Sequence, residues 1–202
     1  MTRIGVLALQ GDFAEHVSVL RQLGSEAQEV RRPEELSGLD GLIIPGGEST
    51  TIARLMTEYD LAEPLRLLAQ DSFPVWGTCA GMIVLARQAS DLEWPTLAAL
   101  DIVVRRNAFG RQVDSFETDL RVPSLGVAPF HAVFIRAPAV DEVGDGVEVL
   151  ATLDDGRVVA VRQGNALATA FHPELTADDR FHRYFLELVR ARRAETSRDV
   201  AE

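Results

Sequence analysis

The sequence predicts an α/β domain whose mostly parallel, twisted sheet carries helices on both faces, with additional antiparallel strands in the second half. Through the first half of the 202-residue chain, short apolar runs alternate with segments whose apolar residues recur at helical spacing. Such alternation is typical of a parallel sheet covered by helices. The strand candidates of the second half follow one another too closely for helical crossovers, so several are expected to be antiparallel.

The elements of the first half follow from the spacing of apolar residues. The continuous apolar run from Ile4 to Leu9 is typical of a buried parallel strand, and Gln10-Gly11 ends it. Asp12 and Glu15 have capping-box spacing at the start of the first helix, although the box prefers Ser or Thr at its first position. The same reasoning predicts further strands at 27–30, 41–44 and 73–77, and helices at 13–23, 52–59, 61–71 and 80–88.

The second half is richer in strands and ends in a helix. A hairpin is predicted around Gln163-Gly164-Asn165, and the polar segment from Phe109 to Ser115 is predicted to be a functional loop. The final helix should run from Asp178 to about Arg193. We therefore expect a single domain over residues 1–193 and a charged, disordered tail over 194–202. The strand candidates are 102–106, 116–122, 132–137, 147–152, 158–162 and 166–171.

Composition narrows the class of protein. Hydrophobic residues make up 47% of the chain and the formal net charge is −11. An acidic surface argues against binding to nucleic acid or to anionic membranes, because both require basic surfaces. No apolar stretch approaches the about 20 residues of a membrane-spanning helix, and no secretory signal pattern is present. These features, together with a single cysteine that excludes an intrachain disulfide, lead us to expect a cytoplasmic protein.

The single cysteine lies in a motif with catalytic potential. Cys79 is flanked by Gly77 and Gly81, at the junction of an apolar run and a helical segment that starts at Ala80. This G-x-C-x-G pattern is typical of a nucleophile elbow, a sharp strand-to-helix turn that pushes its central side chain into a cleft. The N–H of Ala80 would then face whatever the cysteine attacks. The alternative is a buried cysteine that acts only as a small apolar side chain.

A thiol nucleophile needs a base, because an ordinary thiol is mostly protonated at neutral pH. His172 ends a predicted strand, and Glu174 follows two residues later. In an extended segment both side chains would point to the same face, so the carboxylate can fix the tautomer of the imidazole and stabilise its cation. The alternative is a structural histidine beside a solvated glutamate. With the elbow present, the pattern favours a triad of Cys79, His172 and Glu174.

The other three histidines receive ordinary roles. His16 is expected on the surface or at an interface, His131 before a strand, and His182 within the last helix. None of them has metal-ligand spacing with a cysteine, so no metal is expected.

The loop from Pro45 to Ser49 contains two glycines. It lacks the lysine of a phosphate-binding loop. Beside the elbow, its N–H groups are placed to complete an oxyanion hole; alternatively it is a turn in which Ser49 caps the next helix. Arg106 and Arg136 each lie near the end of an apolar run, where either is suited to bind a carboxylate or to be a surface charge.

Six stretches of the chain together form a recognisable set: Leu7–His16, Pro45–Ile52, Gly77–Ile83, Arg105–Gln112, Phe134–Pro138 and Phe171–Leu175. On these stretches the chain resembles the glutaminase subunits of pyridoxal 5′-phosphate synthase, which are class I (triad-type) glutamine amidotransferases. The elbow and the His-Pro-Glu sequence are shared by the whole class, whereas the first, second and fourth stretches are specific to this subunit. The resemblance implies a flavodoxin-like, three-layer amidotransferase fold. Two segments depart from the family pattern, Leu97–Leu100, where a glycine is usual, and the linker 123–130.

The resemblance also implies site residues and a partner. Cys79 is the implied nucleophile, with His172 and Glu174 completing the triad. In the mechanism that we expect, the N–H groups of Gly47 and Ala80 form the oxyanion hole. The family hydrolyses L-glutamine to L-glutamate and ammonia, which passes to a (β/α)₈-barrel synthase subunit in a large hetero-oligomer. Pyridoxal 5′-phosphate is the product of that complex, so no cofactor is expected here. Gln10 is a candidate for sensing the docked partner, or is an ordinary turn residue. The positions implied for L-glutamine are Gly47, Glu48, Ser49, Arg106, Ile135 and Arg136.

Two other functions compete with the glutaminase. A cysteine hydrolase or protease of a related elbow fold often places its histidine directly after the cysteine, where this chain has Ala80. A regulatory binding module would keep the fold without catalysis, but the sequence retains Cys79, His172 and Glu174 intact.

Overall fold

The computed structural model describes residues 1–109 and 115–199. Its helices are α1 Phe13–Gln22, α2 Ser49–Glu58, α3 Ala62–Gln70, α4 Ala80–Leu85 and α5 Arg180–Asp199. Its strands are β1 Arg3–Leu7, β2 Glu26–Val30, β3 Gly41–Ile44, β4 Val75–Thr78, β5 Ala86–Ala89, β6 Leu100–Arg105, β7 Ser115–Leu120, β8 Phe130–Ile135, β9 Ala139–Val143, β10 Glu148–Thr152, β11 Val158–Gln163 and β12 Ala166–Thr169.

Within the described residues the main sheet has ten strands. Its order is β2-β1-β3-β4-β12-β11-β9-β6-β5, and β10 pairs with β11. The strands from β2 to β12 run parallel, and β11 pairs antiparallel with β12, β9 and β10. The predicted fold class is therefore confirmed, including the antiparallel strands of the second half. The predicted hairpin is β11–β12, while β7 and β8 form a separate antiparallel pair.

Alternate side chains of β4 show how both faces of the sheet are covered. Trp76 is fully buried and packs edge-on against His16 of α1 and His182 of α5. The next residue, Gly77, faces the opposite side, where a Cβ atom would lie 2.4 Å from the backbone of Gly81 in α4. Because successive strand residues point to opposite faces, α1 and α5 lie on one face and α4 lies on the other.

The close contact between α4 and the sheet requires glycine at two positions. A Cβ atom on Gly81 would lie 2.0 Å from the carbonyl oxygen of Ile44 at the end of β3. Gly77 meets the same helix from β4. No side chain fits at such distances, so both glycines of the elbow motif serve close backbone approach. The first turn of α4 is thereby held against the ends of β3 and β4.

Several elements differ from those predicted. The helix α4 ends at Leu85, because residues 86–89 instead form β5 and pair with β6. The strand β9 was not predicted, since Asp141 and Glu142 interrupt its apolar pattern. The helix α5 continues to Asp199, so residues 194–199 of the predicted disordered tail are helical. Arg193 anchors this end of α5 through Asp40 and the carbonyl of Met1.

Two further segments bear on the sequence predictions. Of the predicted functional loop, residues 110–114 lie outside the described residues. Within the departure at Leu97–Leu100, Ala98 has a φ of +50°, a conformation that glycine adopts at lower cost. None of the helices in 1–109 and 115–199 combines the length and apolar character needed to cross a bilayer.

Candidate active site

Three loops meet at the carboxyl ends of β1, β3 and β4, as the sequence predicts. They surround a cavity of about 360 Å³, which is within the size range of small-molecule sites. Every predicted site residue lines this cavity except Glu174, which lies behind His172. The predicted residues that line it are Gln10, Gly47, Glu48, Ser49, Cys79, Ala80, Arg106, Ile135, Arg136 and His172.

Cys79 occupies the turn between β4 and α4. Its backbone has a φ of +46° and a ψ of −101°, a strained conformation for a residue other than glycine. The Cys79 N–H donates to the carbonyl of Thr169 over 2.8 Å, which ties the turn to the end of β12. The Sγ atom faces the cavity, 3.8 Å from the carbonyl oxygen of Ile135. The strand–turn–helix geometry of a nucleophile elbow is therefore present.

His172 and Glu174 form a buried pair beside the thiol. Nδ1 of His172 lies 2.7 Å from Oε1 of Glu174, and both side chains are almost fully buried. Residues Pro173–Leu175 form a 3₁₀ turn, so the pair is brought together by a turn and not by the extended segment that we predicted. The imidazole also packs on Gly46, where a Cβ atom would lie 2.3 Å from Cε1 of the ring.

A second carboxylate, which the sequence analysis missed, reaches the same imidazole. Oδ2 of Asp12 lies 3.4 Å from Nδ1 of His172. The predicted capping box is wrong, because the Asp12 side chain makes no capping hydrogen bond to α1. The position of Asp12 immediately after the loop of the first strand was the available signal, since loops at this edge of a parallel sheet meet.

The surroundings of His172 favour its charged form. Burial opposes the charge, but hydrogen bonds to Asp12, Cys79 and Glu174 outweigh it and raise the pKa of His172 to about 12. Burial also raises the pKa of Glu174, and the hydrogen bond from His172 acts against this. The proton of the pair therefore resides on His172. The site therefore places a positively charged imidazolium next to the sulfur of Cys79.

The prediction that His16 lies on the surface or at an interface is wrong. His16 is fully buried, with Nδ1 3.0 Å from Nε2 of His182 and Nε2 3.2 Å from Oγ1 of Thr78. His182 is also fully buried. Helical spacing could have predicted this burial, because His16 lies on the same face of α1 as the buried residues Val17 and Leu20.

His131, in contrast, is exposed, and lies between two carboxylates of the neighbouring strand β7. Its Nε2 is 2.9 Å from Oε2 of Glu117, and its Nδ1 is 3.0 Å from Oδ1 of Asp119. These hydrogen bonds raise the pKa of His131.

The polar loop after β3 is organised by Glu48. Its carboxylate accepts hydrogen bonds from the N–H groups of Thr50 and Thr51. Glu48 is therefore the N-cap of α2, and the alternative in which Ser49 caps this helix is wrong. Burial opposes the charge of Glu48, but these hydrogen bonds prevail and lower its pKa. The N–H of Glu48 donates to Oε1 of Gln10 over 2.7 Å, which joins this loop to the loop after β1.

Two arginines supply positive charge at the cavity. The guanidinium of Arg106 lies 3.1 Å from Oγ1 of Thr50 and 3.4 Å from Oε1 of Glu48. Arg136 follows Ile135 and has a φ of +44°, which turns the chain at the rim of the cavity. Cations and carboxylates side by side suit a zwitterionic amino acid, which carries both charges.

The same residues offer a set of possible metal ligands. Asp12, His172 and Glu174 each place a ligand atom within 4.8 Å of the others. Both carboxylates are directed at the same nitrogen, Nδ1 of His172. This arrangement matches hydrogen bonding to one imidazolium, and we assign the group to that role.

A cysteine elbow beside a buried histidine–glutamate pair, on a mixed sheet covered by helices, defines a class of protein, the glutamine amidotransferases. A solved structure described as a glutamine amidotransferase matches with a TM-score of 0.86 and 55% identity, over 92% of this chain and 98% of that chain. The structure of a putative GMP synthase component from Thermoplasma acidophilum matches with a TM-score of 0.71 at 20% identity, over 98% of both chains. The second match supports the fold alone.

The chain belongs to the SNO glutamine amidotransferase family, whose model matches residues 6–191. It is 61% identical over 188 residues to the pyridoxal 5′-phosphate synthase subunit PdxT of Herpetosiphon aurantiacus, covering 92% of this chain and 99% of that protein. It is 58% identical over 194 residues to the protein of the same name from Corynebacterium jeikeium, covering 95% and 99%. The family resemblance inferred from the motifs is confirmed.

The buried histidines predict how stability depends on pH. Burial lowers the pKa of His182 to about 4 and that of His16 well below its ordinary value. On unfolding below about pH 6.5, each histidine takes up a proton that it does not bind in the folded state. As the pH is lowered from about 6.5 to 5, the free energy of unfolding should therefore decrease, by up to about 1.4 kcal/mol per pH unit for each histidine.

Urea unfolding at a series of pH values measures this slope, and His182→Leu should flatten it. The raised pKa values of His172 and His131 do not interfere, because their contributions are complete below about pH 6.5 and are lost only as the pH rises. His131→Gln is therefore the control and should keep the slope. An equal slope in the wild type and in His182→Leu would contradict the burial of a neutral histidine.

Proposed function

We propose that this protein is the glutaminase subunit of a pyridoxal 5′-phosphate synthase. It hydrolyses L-glutamine to L-glutamate and ammonia, and a separate synthase subunit uses the ammonia. Membership of the SNO family and the names of the relatives support this function. The observation that carries it is the position of Cys79, at a strained elbow and beside the buried pair of His172 and Glu174.

The chemistry begins with the thiolate of Cys79. Because His172 already holds the proton as an imidazolium, the sulfur attacks the side-chain amide carbon of glutamine directly and forms a tetrahedral oxyanion. His172 then donates the proton to the leaving nitrogen, and ammonia departs from a thioester. Water, deprotonated by His172, hydrolyses the thioester through a second oxyanion. Glu174 keeps the imidazole oriented and stabilises its positive charge throughout.

The backbone supplies the oxyanion hole in this mechanism. Ala80 is the first residue of α4, so its N–H is not used within the helix and lies next to the sulfur. Gly47 supplies the second N–H from the loop after β3. Two donors that face the developing negative charge lower the barrier of both tetrahedral steps.

The cavity residues divide the recognition of glutamine between them. Arg106 and Arg136 attract the α-carboxylate, while Glu48 and the carbonyl of Ile135 offer acceptors to the α-amino group. Gly47 and Ser49 line the same cavity as Cys79. This division matches the two charges of the free amino acid and leaves its side-chain amide at Cys79.

The partner in this proposal is a (β/α)₈-barrel synthase subunit, within a large hetero-oligomer in the cytoplasm. The link between the active site and the partner is Gln10, which is partly exposed and holds the N–H of Glu48. A subunit that docks at this edge and displaces the Gln10 side chain would change the loop that carries Gly47 and Glu48. Through Gln10, docking of the partner would therefore alter the position of the oxyanion-hole residue Gly47.

The role of Cys79 is tested by Cys79→Ala. The variant should lose glutamine hydrolysis by about 10⁴-fold or more, because it removes the nucleophile. It should still bind the barrel subunit, since the turn keeps its backbone contacts. Ammonia release is measured with and without the barrel subunit, and complex formation is measured by sedimentation. Retained ammonia release in the variant would refute the assignment.

The same assay on the wild type separates the competing functions. A regulatory module releases no ammonia in either condition, and a protease leaves free glutamine intact. A glutaminase subunit is active on glutamine and responds to its partner.

The substrate role of Arg106 has a matched control in its neighbour. Arg105 is exposed and pairs with Asp141, away from the cavity. Arg106→Met should raise KM for glutamine by about 10- to 100-fold, because a hydrogen bond to a charged group contributes about 1.5–3 kcal/mol. Arg105→Met should leave KM unchanged. Equal KM values for the two variants would exclude Arg106 from the substrate site.

The partner-sensing role of Gln10 is tested by Gln10→Leu. The variant cannot hold the N–H of Glu48, so turnover in the presence of the barrel subunit should fall by about tenfold while binding of that subunit persists. Gln22→Leu, on the exposed side of α1, is the control. If the barrel subunit stimulates Gln10→Leu as fully as the wild type, Gln10 is an ordinary turn residue.

A further inference from the structure

Glu174 has one carboxylate oxygen that the triad does not use. Oε1 binds His172, whereas Oε2 is buried and has no well-aligned hydrogen bond. The nearest donor is Nε2 of His16, 3.3 Å away, in a pair whose two side chains are fully inaccessible to solvent. A buried carboxylate oxygen is costly unless a donor faces it. The structure thus places a fully buried histidine directly behind the triad glutamate.

A second histidine continues the row into the core. Nδ1 of His16 lies 3.0 Å from Nε2 of His182, and Nδ1 of His182 is buried without a partner. The indole of Trp76 packs edge-on against both rings and holds them in place. The row Cys79–His172–Glu174–His16–His182 therefore joins residues of the turn between β4 and α4, of the turn after β12, of α1 and of α5.

The protonation of this row follows from its contacts. Burial lowers the pKa of both histidines, so each ring is neutral and carries one proton. If His16 carries its proton on Nε2, that N–H is shared between Thr78 and Glu174, and it is better aligned on Thr78. Nδ1 of His16 then accepts from Nε2–H of His182. The unpartnered Nδ1 of His182 is in that case a lone pair and not an N–H group.

The opposite tautomers, with the proton on Nδ1 of both histidines, are unfavourable at both ends of the row. With the proton on Nδ1 of His16, the lone pair of Nε2 would face the Glu174 carboxylate at 3.3 Å. His182 would then have to accept at Nε2 and would carry an N–H on its buried, unpartnered Nδ1. A buried donor without an acceptor is disfavoured, and so is a lone pair against a carboxylate oxygen. These two penalties favour the Nε2–H tautomer of both His16 and His182.

We propose that His16 is a positioning residue for the glutaminase triad: it donates from Nε2 to Oε2 of Glu174, and His182 keeps it in that tautomer. The proposal rests on the proposed roles of Cys79, His172 and Glu174. It gives Glu174 a fixed orientation, which in turn orients the imidazole of His172. Neither His16 nor His182 lines the described substrate cavity, so their effect should fall on kcat and not on KM.

The tautomers are tested directly on the intact wild-type protein, by ¹⁵N–¹H correlation spectra of the histidine rings. We expect His16 and His182 both as neutral Nε2–H tautomers, and His172 as an imidazolium. A proton on Nδ1 of His16, or a charged His16, would overturn the proposal. This measurement does not depend on catalysis, so it stands or fails separately from the glutaminase assignment, which Cys79→Ala tests.

The positioning role is tested by two substitutions at one position. In His16→Gln the amide nitrogen is as many bonds from Cβ as Nε2 of histidine is, so the donor to Glu174 is kept. His16→Leu has similar bulk but no donor. We expect kcat to fall about 10- to 100-fold in His16→Leu, with KM within about twofold, and to recover most of this loss in His16→Gln. Equal kcat values in both variants and the wild type would overturn the proposal.

A second spectroscopic readout separates positioning from a general loss of stability. In His16→Leu the ring resonances of His172 should shift, because its carboxylate partner has lost its second hydrogen bond. In Val17→Ala, a neighbouring core substitution of α1, the protein is destabilised but the His172 resonances should stay. If His16→Leu fails to fold, the spectra of His16→Gln and of the wild type still decide the question. A shift of His172 in Val17→Ala equal to that in His16→Leu would contradict a specific role.

Discussion

The active site depends on the close backbone contact between α4 and the ends of β3 and β4. Gly77 and Gly81 let the helix start within van der Waals contact of the strands, where any Cβ atom would overlap a backbone atom. This contact forces Cys79 into a positive φ and turns its side chain into the cavity. The same contact leaves the first N–H of α4 beside the sulfur. The backbone strain at Cys79 persists because the packing of many surrounding residues offsets its cost.

A buried ion pair is the second feature of the site. Burying His172 and Glu174 costs solvation, and their mutual attraction offsets this cost only if the remaining polar atoms are also satisfied. Asp12 on one side and His16 on the other supply those contacts. Two neutral histidines behind a charged histidine place the positive charge next to the thiol, which is where the chemistry requires it.

The cavity combines positive and negative groups within an acidic protein. The chain has a formal net charge of −11, yet Arg106 and Arg136 both line the cavity, where the proposed function requires a carboxylate to bind. Glu48 binds two N–H groups of α2 and also approaches Arg106, so one side chain caps a helix and places a cation. The loop that we propose to bind substrate is in this way tied to the first turn of α2.

Much of the fold and of the site could be predicted from the sequence, because the signals are local. Alternating apolar runs predict the parallel half, the two glycines beside Cys79 predict the elbow, and His172 and Glu174 are only two residues apart. The strands β5 and β9 were not predicted, since both owe their conformation to pairing with β6.

The tertiary structure alone decided which polar side chains lie behind the triad. His16 and His182 are 166 positions apart in the sequence, and Asp12 meets His172 from the other end of the chain. No local pattern encodes such a contact, because it forms only when the sheet brings α1, α5 and the loop after β12 together. Burial then determines their charge, by removing the water that would otherwise solvate it.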